Sequence, residues 1–455
     1  MLDTDFSRRR FLQFSAAGAG VVAATPYLSH LQAFAAPPVG DTQGILVTVF
    51  LGGGNDGMNT VAPVGNSRYA QLRPGLRITN GLSIGSGLAL HPALSKLKTR
   101  FDSGKVAIVQ GVGYQPPDLS HFESQDIWMH GWGGTSPKTT GWAGRFLDGL
   151  PNTEKESLYG VSLHGNVNLH LSGAVANPSS LPLRINDAFG IDRTDRSDAR
   201  MFDALKSYGS GSSGMGALAD EYDESAMELM NLTQRIRPAY GFADQPSYFE
   251  QQLVLAAHLI NANLGIRVID TVLDGFDTHS DQAGWHATLM GRLDAGIDKF
   301  FKTLSTRWKG QVCLMTWSEF GRRPEENGDG GTDHGAAAPL FVIGDKVRGG
   351  VHGSHPSLTN LDNHGDLRPS VDFRQVYAPI IDTWLKGDDR QILGKTYTPI
   401  PLFKSGPSAP LTGTPSTIKP GYWIAGPTGH ITGKGAATKF GPLTSVSTYV
   451  IGGAP

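Results

Sequence analysis

The sequence predicts an α/β protein built on a central parallel sheet. Short apolar runs bounded by turn residues have the look of strands buried on both faces: Ile45 to Leu51, Lys105 to Gln110, Ile266 to Leu273, Gln311 to Thr316 and Pro339 to Ile343. Helical periodicity falls between several of these runs, which is the alternation that a doubly covered parallel sheet requires. The loops after the runs also carry acidic and histidine clusters, and in an open parallel sheet such loops share one edge.

Taken in order, the chain begins with a targeting pattern. Ser7-Arg8-Arg9-Arg10-Phe11-Leu12 precedes a mildly apolar run, Phe14 to Tyr27, and Ala33-Phe34-Ala35 supplies a small-x-small cleavage pattern before Ala36. Residues 1–35 are therefore expected to be a twin-arginine signal peptide. The twin-arginine translocase is then a partner during export, and the mature protein is periplasmic, at the cell surface or extracellular. No later stretch has the apolar length of a membrane span, so no stable transmembrane anchor is expected. The first strand runs into Gly52-Gly53-Gly54-Asn55-Asp56-Gly57, which spells G-x-G-x-x-G. Asn59, Pro63, Gly65 and Asn66 follow where a dinucleotide fold needs a helix, which argues against a nucleotide site.

A helix is expected from Pro92 to about Asp102, then the second strand, then Ser120-His121-Phe122-Glu123. Ser-x-x-Glu before an apolar run is a capping box, making Ser120 a helix N-cap. A serine there also sits beside free amides and the positive end of the helix dipole, a setting suited to a nucleophile that attacks an anionic ester. Residues 203–244 look like an insertion, with the flexible Gly209 to Gly214 linker and a helical run around Ala217 to Ile236. Helices from about Tyr248 to Asn263, Ala287 to Leu304 and Phe373 to Leu385 complete the alternation, which occupies residues 36–400. Residues 401–455 are rich in Gly, Pro and Thr, and Gly421 to Gly441 resembles one copy of a Gly-Tyr-Trp repeat that forms short β-hairpins in exported proteins.

A formal net charge of −2 with interspersed signs gives no footprint for nucleic acid. The lone cysteine, Cys313, excludes an internal disulfide and reads as a buried, inert thiol in a strand. Gly81 to Gly85 matches G-x-S-x-G but lacks the strand and helix of a hydrolase elbow. His91, His164, His170 and His258 read as packed or surface histidines.

Four clusters stand at strand ends: Asp56; Ser120; Asp277 with His279; and Glu319, Asp333 and His334. Carboxylates with imidazoles suit divalent metals, here Zn, Mn, Fe or Ca. A hydroxyl among them is the layout of metal-assisted attack on a phosphoryl or sulfuryl centre.

The phrases GGGNDGMNTVAP, LALHPAL, SHFESQDIW, GFDTHSDQ, TWSEFGRRPEENGDGGTDHGAAAPLFVIG and HPSL, with the signal, resemble the exported bacterial domain-of-unknown-function 1501 family, from about Gly44 to Leu385. That family is assigned to the alkaline phosphatase and sulfatase superfamily. The resemblance implies a three-layer fold, a mostly parallel sheet with helices on both faces, and hydrolysis of phosphate or sulfate esters of a small molecule or polymer. It implies Ser120 as nucleophile, Asp56 as the first acidic ligand and Asp277 with His279 on one metal. Two registers stay open beyond these. Either Asp333 and His334 form the next ligand pair with His355 last, or Glu319 takes that strand end with His334 last. The formylglycine motif of common sulfatases is absent. The competing expectation is a non-catalytic exported binding or cell-surface assembly protein with a degraded metal site.

Overall fold

The computed structural model describes residues 37–135, 139–153, 156–184, 195–208, 232–233, 235–409, 422–425 and 431–434. The twin-arginine segment and most of the helical run around Ala217 to Ile236 lie outside the described residues. Contacts divide the chain into two units, residues 1–409 and 410–455.

A nine-stranded sheet organises the first unit. In chain order its strands are β1 (Ile45–Gly52), β2 (Val106–Gly113), β3 (Gly160–Ser162), β4 (Ser179–Ser180), β5 (Val268–Asp274), β6 (Val312–Trp317), β7 (Ala338–Ile343), β8 (Gly350–His352) and β9 (Val371–Asp372). Across the sheet they lie in the order β8-β2-β7-β6-β1-β5-β3-β4, with β9 also paired to β2. Every pairing is parallel except those of β7, which runs antiparallel to β6 and β2. The sequence marks β7 as an apolar run of the parallel kind, and here the structure differs. After β6 the chain turns at the sheet edge and re-enters from that same edge, so it needs no crossover helix and must reverse direction.

Side chains of each strand alternate between two cores, as a period of two dictates. In β1, Ile45, Val47, Val49 and Leu51 face one core, and Leu46 and Phe50 face the other. The first core is closed by helices α1 (Ser95–Asp102), α4 (Tyr248–Asn261) and α5 (Gln282–Thr303). The second is closed by α2 (His121–His130), α3 (Trp142–Asp148) and α6 (Phe373–Pro379), through Trp128, Trp142 and Phe373. The result is a three-layer α/β/α arrangement. The expected helix Phe373 to Leu385 changes winding at Pro379 and continues as a π turn over Ile380–Leu385, since proline lacks the amide that an α-helical ladder uses. In the second unit, Tyr422–Ala425 and Ile431–Lys434 pair antiparallel. Cys313 is fully buried on β6, where burial pushes its thiol well above the ordinary range.

Beneath the edge that holds the candidate site lie two buried histidines, His91 and His286, with ring centroids 5.4 Å apart. Burial drives both down to about 4, so they fold neutral. Unfolded histidine titrates near 6.5, so below that pH the unfolded chain takes up protons that the folded chain refuses. Their contribution is complete above about pH 6.5 and is lost progressively down to about pH 4. Thermal melts of wild type across that window are expected to show a falling Tm, and His286→Gln should flatten the slope; an unchanged slope removes His286 from the account.

Candidate metal centre

Because β1, β2, β5 and β6 are parallel and β7 is antiparallel, the loops after the first four and the approach to the last meet at one edge. The turn after β1 passes so close to the β5 loop that a Cβ on Gly53, whose φ is +111°, would lie 2.4 Å from the Asp277 amide nitrogen. Only glycine permits that approach. The Gly-rich G-x-G-x-x-G run thus serves loop packing, and a helical turn of only four residues, Gly57–Thr60, follows it.

Asp277 is the meeting point. Its Oδ1 lies 3.0 Å from His279 Nε2, 3.1 Å from His334 Nε2 and 2.7 Å from Arg322 Nη2, and its Oδ2 lies 3.4 Å from His121 Nε2. His279 Nε2 and His334 Nε2 stand 3.1 Å apart. The opposite nitrogen of each ring faces an acceptor: His121 Nδ1 is 2.8 Å from Glu319 Oε1, His334 Nδ1 is 2.8 Å from the Leu119 carbonyl, and His279 Nδ1 is 3.4 Å from Asp333 Oδ1. Each ring is thus held by an acceptor behind its Nδ1 and turns its Nε2 towards the Asp277 carboxylate.

Three imidazole Nε2 atoms and a carboxylate therefore converge on one space. Burial keeps the His334 ring below its usual range, towards its neutral form. Ligands bonded at about 2.0 Å in a tetrahedron sit about 3.3 Å apart, close to the nitrogen separation seen here. A carbonyl or carboxylate behind each ring is also the arrangement that orients metal-bound histidines. Three nitrogens and one carboxylate suit zinc, manganese or iron better than calcium, which takes oxygen ligands. The Asp277 and His279 side chains are about half exposed, so the centre is open to solvent. Burial opposes ionisation of Asp277, yet hydrogen bonds from Arg322 and His334 hold its carboxyl well below the usual range.

The structure sorts the residues that sequence singles out. His121, Asp277 and His334 each bring a ligand atom within 4.8 Å of one another, and His279 joins them through Asp277 and His334. Asp333 and Glu319 stand one layer out, behind His279 and His121. Glu319 is fully buried and also accepts from the Gly53 amide at 2.9 Å. Asp56 lies elsewhere. Both its oxygens are taken by Arg73, at 2.6 and 3.1 Å, and Gln282 donates to one of them. Burial works against its charge, but Arg73 holds it ionised and below the usual range. His355 faces its neighbour's carbonyl, with Nδ1 2.8 Å from Pro356 O, beside Gln110 and Pro339 rather than in the cluster.

Ser120 is exposed at the N-cap of α2, but its hydroxyl makes no capping bond. The expected capping box does not form because Asp118 Oδ1 takes the Ser120 amide at 2.8 Å, the donor that Glu123 would have accepted. His121 and Arg322 are the residues that sequence reading misses. His121 had a signal, as a histidine opening a helix directly after a strand-end loop, whereas nothing in Gly321-Arg322-Arg323 marks Arg322 as the buried member of its pair.

A family model described as protein of unknown function (DUF1501) matches residues 116–373, more than half of the chain. The chain belongs to that family. Similar solved structures include Ps i-CgsB in complex with k-i-k-neocarrahexaose, at 11% identity over 78% of this chain and 73% of that one, with a TM-score of 0.37. A protein in the alkaline phosphatase superfamily from Vibrio parahaemolyticus shares 8% identity over 77% and 72% of the two chains, TM-score 0.27. The PsFucS1 sulfatase from Pseudoalteromonas sp. shares 12% over 69% and 65%, TM-score 0.28. No curated protein matches the sequence. Among the described residues, no helix is long and apolar enough to cross a membrane.

Two substitutions separate the Asp56 pair from the centre. Arg73→Ala strands a buried carboxylate and should cost about 3–5 kcal/mol in denaturant melts. Asp56→Asn should leave metal content, read by elemental analysis, at the wild-type level while His279→Ala lowers it; metal lost from Asp56→Asn would return Asp56 to the ligand set.

Proposed function

We propose that the chain is an exported, metal-dependent hydrolase of phosphate or sulfate esters. The observation that carries this reading is the convergence of three imidazole Nε2 atoms and Asp277 at a solvent-open sheet edge, directly beside the N-terminus of α2. His121, His279, His334 and Asp277 would hold a divalent ion. When bound, such an ion supplies positive charge that polarises the ester and offsets charge developing in the transition state. The protein's own groups do the rest. The first amides of α2 have no partners within the helix and face the ester's non-bridging oxygens. The Ser120 hydroxyl, unengaged by any cap, attacks the phosphorus or sulfur centre, and water then releases the serine ester. Arg322 is a positioning residue: it donates to Asp277 and to the carbonyls of Gly54, Phe276 and Thr332, fixing the carboxylate that the imidazoles share. Export rests on the twin-arginine pattern of residues 1–35.

A second reading, a non-catalytic exported binding or cell-surface assembly protein, is favoured by one specific feature. Asp56 is closed off by Arg73, so the described residues assemble one cation position rather than two.

Protein purified without chelator is expected to carry about one transition metal per chain and to hydrolyse aryl phosphates or sulfates. Less than that, with no turnover on either class, favours the second reading. Because no capping bond is lost, Ser120→Ala should stay within about 0.5 kcal/mol of wild-type stability, well under the roughly 1 kcal/mol of a lost cap. Its turnover should fall by several orders of magnitude, and so should that of Ser120→Asp. An active Ser120→Asp protein moves the attack to water.

A further inference from the structure

A second polar cluster, centred on Asp270, lies outside the candidate metal centre. Asp270 sits in the middle of β5, opposite Thr48 and Ser162, on the face that is otherwise aromatic and aliphatic. Its side chain is completely buried. A carboxylate in a central parallel strand is costly unless it is fully partnered. Asp270 is: Oδ2 lies 2.6 Å from His164 Nε2 and accepts from Asn168 Nδ2 at 2.9 Å, while Oδ1 accepts from Thr48 at 2.8 Å and lies 3.5 Å from His170 Nε2. His170 is closed in beneath Trp142 and Trp317, its Nδ1 unpartnered, and burial keeps it neutral. His164 is the titratable member of the cluster that is partly exposed.

Its place in the sheet fixes where it leads. His164 leaves β3 two residues after Ser162, and β3 runs parallel to β5 as its neighbour, so His164 emerges at the edge where β5 delivers Asp277 and His279. Asp274, four residues beyond Asp270 and so on the same face of β5, ends the strand. Partial burial and repulsion from Glu319 raise its carboxyl against the attraction of His164. Glu319 in turn holds His121.

We propose that His164, held by Asp270, is the proton donor to the leaving group of the esters cleaved at the neighbouring metal centre. This rests on the hydrolase reading above. As the bond from phosphorus or sulfur to the ester oxygen breaks and the bond to the nucleophile's oxygen forms, the ring nitrogen of His164 not held by Asp270 delivers a proton to the departing oxygen, which leaves as a neutral alcohol. The ring regains its proton from the water that releases the serine ester, and Ser120, which gives its own proton to solvent as it attacks, takes one back as it departs. Burial opposes charge on His164, but the Asp270 hydrogen bond and charge, with Asp274, outweigh it and raise the ring above its usual range, so a proton is available near neutral pH. Other titratable groups facing His164 are His170, which is neutral, and Asp274.

The probes are 4-nitrophenyl and phenyl esters of phosphate and of sulfate, with the metal-loaded full chain. Loss of a positioned proton donor lowers rates by about a hundred- to ten-thousand-fold where the leaving group needs the proton. His164→Gln should show that loss on the phenyl ester and at most a few-fold loss on the 4-nitrophenyl ester, whose anion leaves unaided, with metal content unchanged. Asp270→Asn keeps the ring but removes the carboxylate that raises it, so the alkaline limb of the phenyl-ester pH profile should move to lower pH. Should His164→Gln fold poorly because Asp270 is left unpaired, His164→Gln combined with Asp270→Asn removes both charges and must show the same leaving-group contrast. Equal losses on both esters overturn the proposal while leaving the hydrolase reading intact. Absence of turnover by metal-loaded wild type on every probe overturns both.

Discussion

The arrangement at the sheet edge depends on the Asp277 carboxylate, which His279 of its own loop and three side chains from two other connections, His121, Arg322 and His334, approach at once. Around it, three carboxylates against one guanidinium leave a formal double negative charge: Asp277, Glu319 and Asp333 opposed by Arg322. A divalent cation held by the imidazoles would offset that charge with no rearrangement of the rings, because Glu319, Leu119 and Asp333 already fix how each ring is turned. The outer carboxylates therefore matter as much as the inner groups.

That geometry is a product of topology before it is one of side chains. Parallel strands send their following loops to one edge, and the reversed β7 brings the segment preceding it to the same place. Had β7 been parallel, His334 would have lain at the opposite edge of the sheet, some six residues of strand away. The short ladder of Gly321–Arg322 with His334–Gly335 then sets His334 beside the loop that carries Arg322. Gly53 contributes by having no side chain where the Asp277 backbone must pass.

Much of this was legible in the sequence, for physical reasons that also explain the gaps. Strands buried on both faces are apolar throughout, so β1, β2, β5, β6 and β7 stand out as runs; an apolar run carries no sign of direction, so the reversal of β7 does not. Asp277, His279 and His334 are visible because ligand-type residues crowd the ends of those runs. The pairing of Asp56 with Arg73 depends on how one loop folds back on another, and a strand-end aspartate looks the same whether it meets a cation or a guanidinium. His121 is overshadowed by Ser120, whose capping signal is local and strong, although Asp118 takes the amide the cap would use. His164 and His170 read as packed histidines, and His170 is one; what sequence cannot show is the buried Asp270 between them.

Three aspartates on or just after the strands thus reach three different states through their neighbours alone. Asp56 is neutralised by a buried guanidinium and one further donor, Gln282, so both its oxygens are engaged and its charge serves to hold two loops together. Asp270 is equally buried but meets imidazoles, which can exchange their protons as a guanidinium cannot, so its charge is expressed as proton affinity in His164. Asp277 is half exposed and meets a guanidinium and three imidazoles at once, so its charge is shared among several loops at a face open to solvent. Reading function from such a chain therefore requires, for each carboxylate, the identity of the atom opposite and the direction in which that atom's proton points.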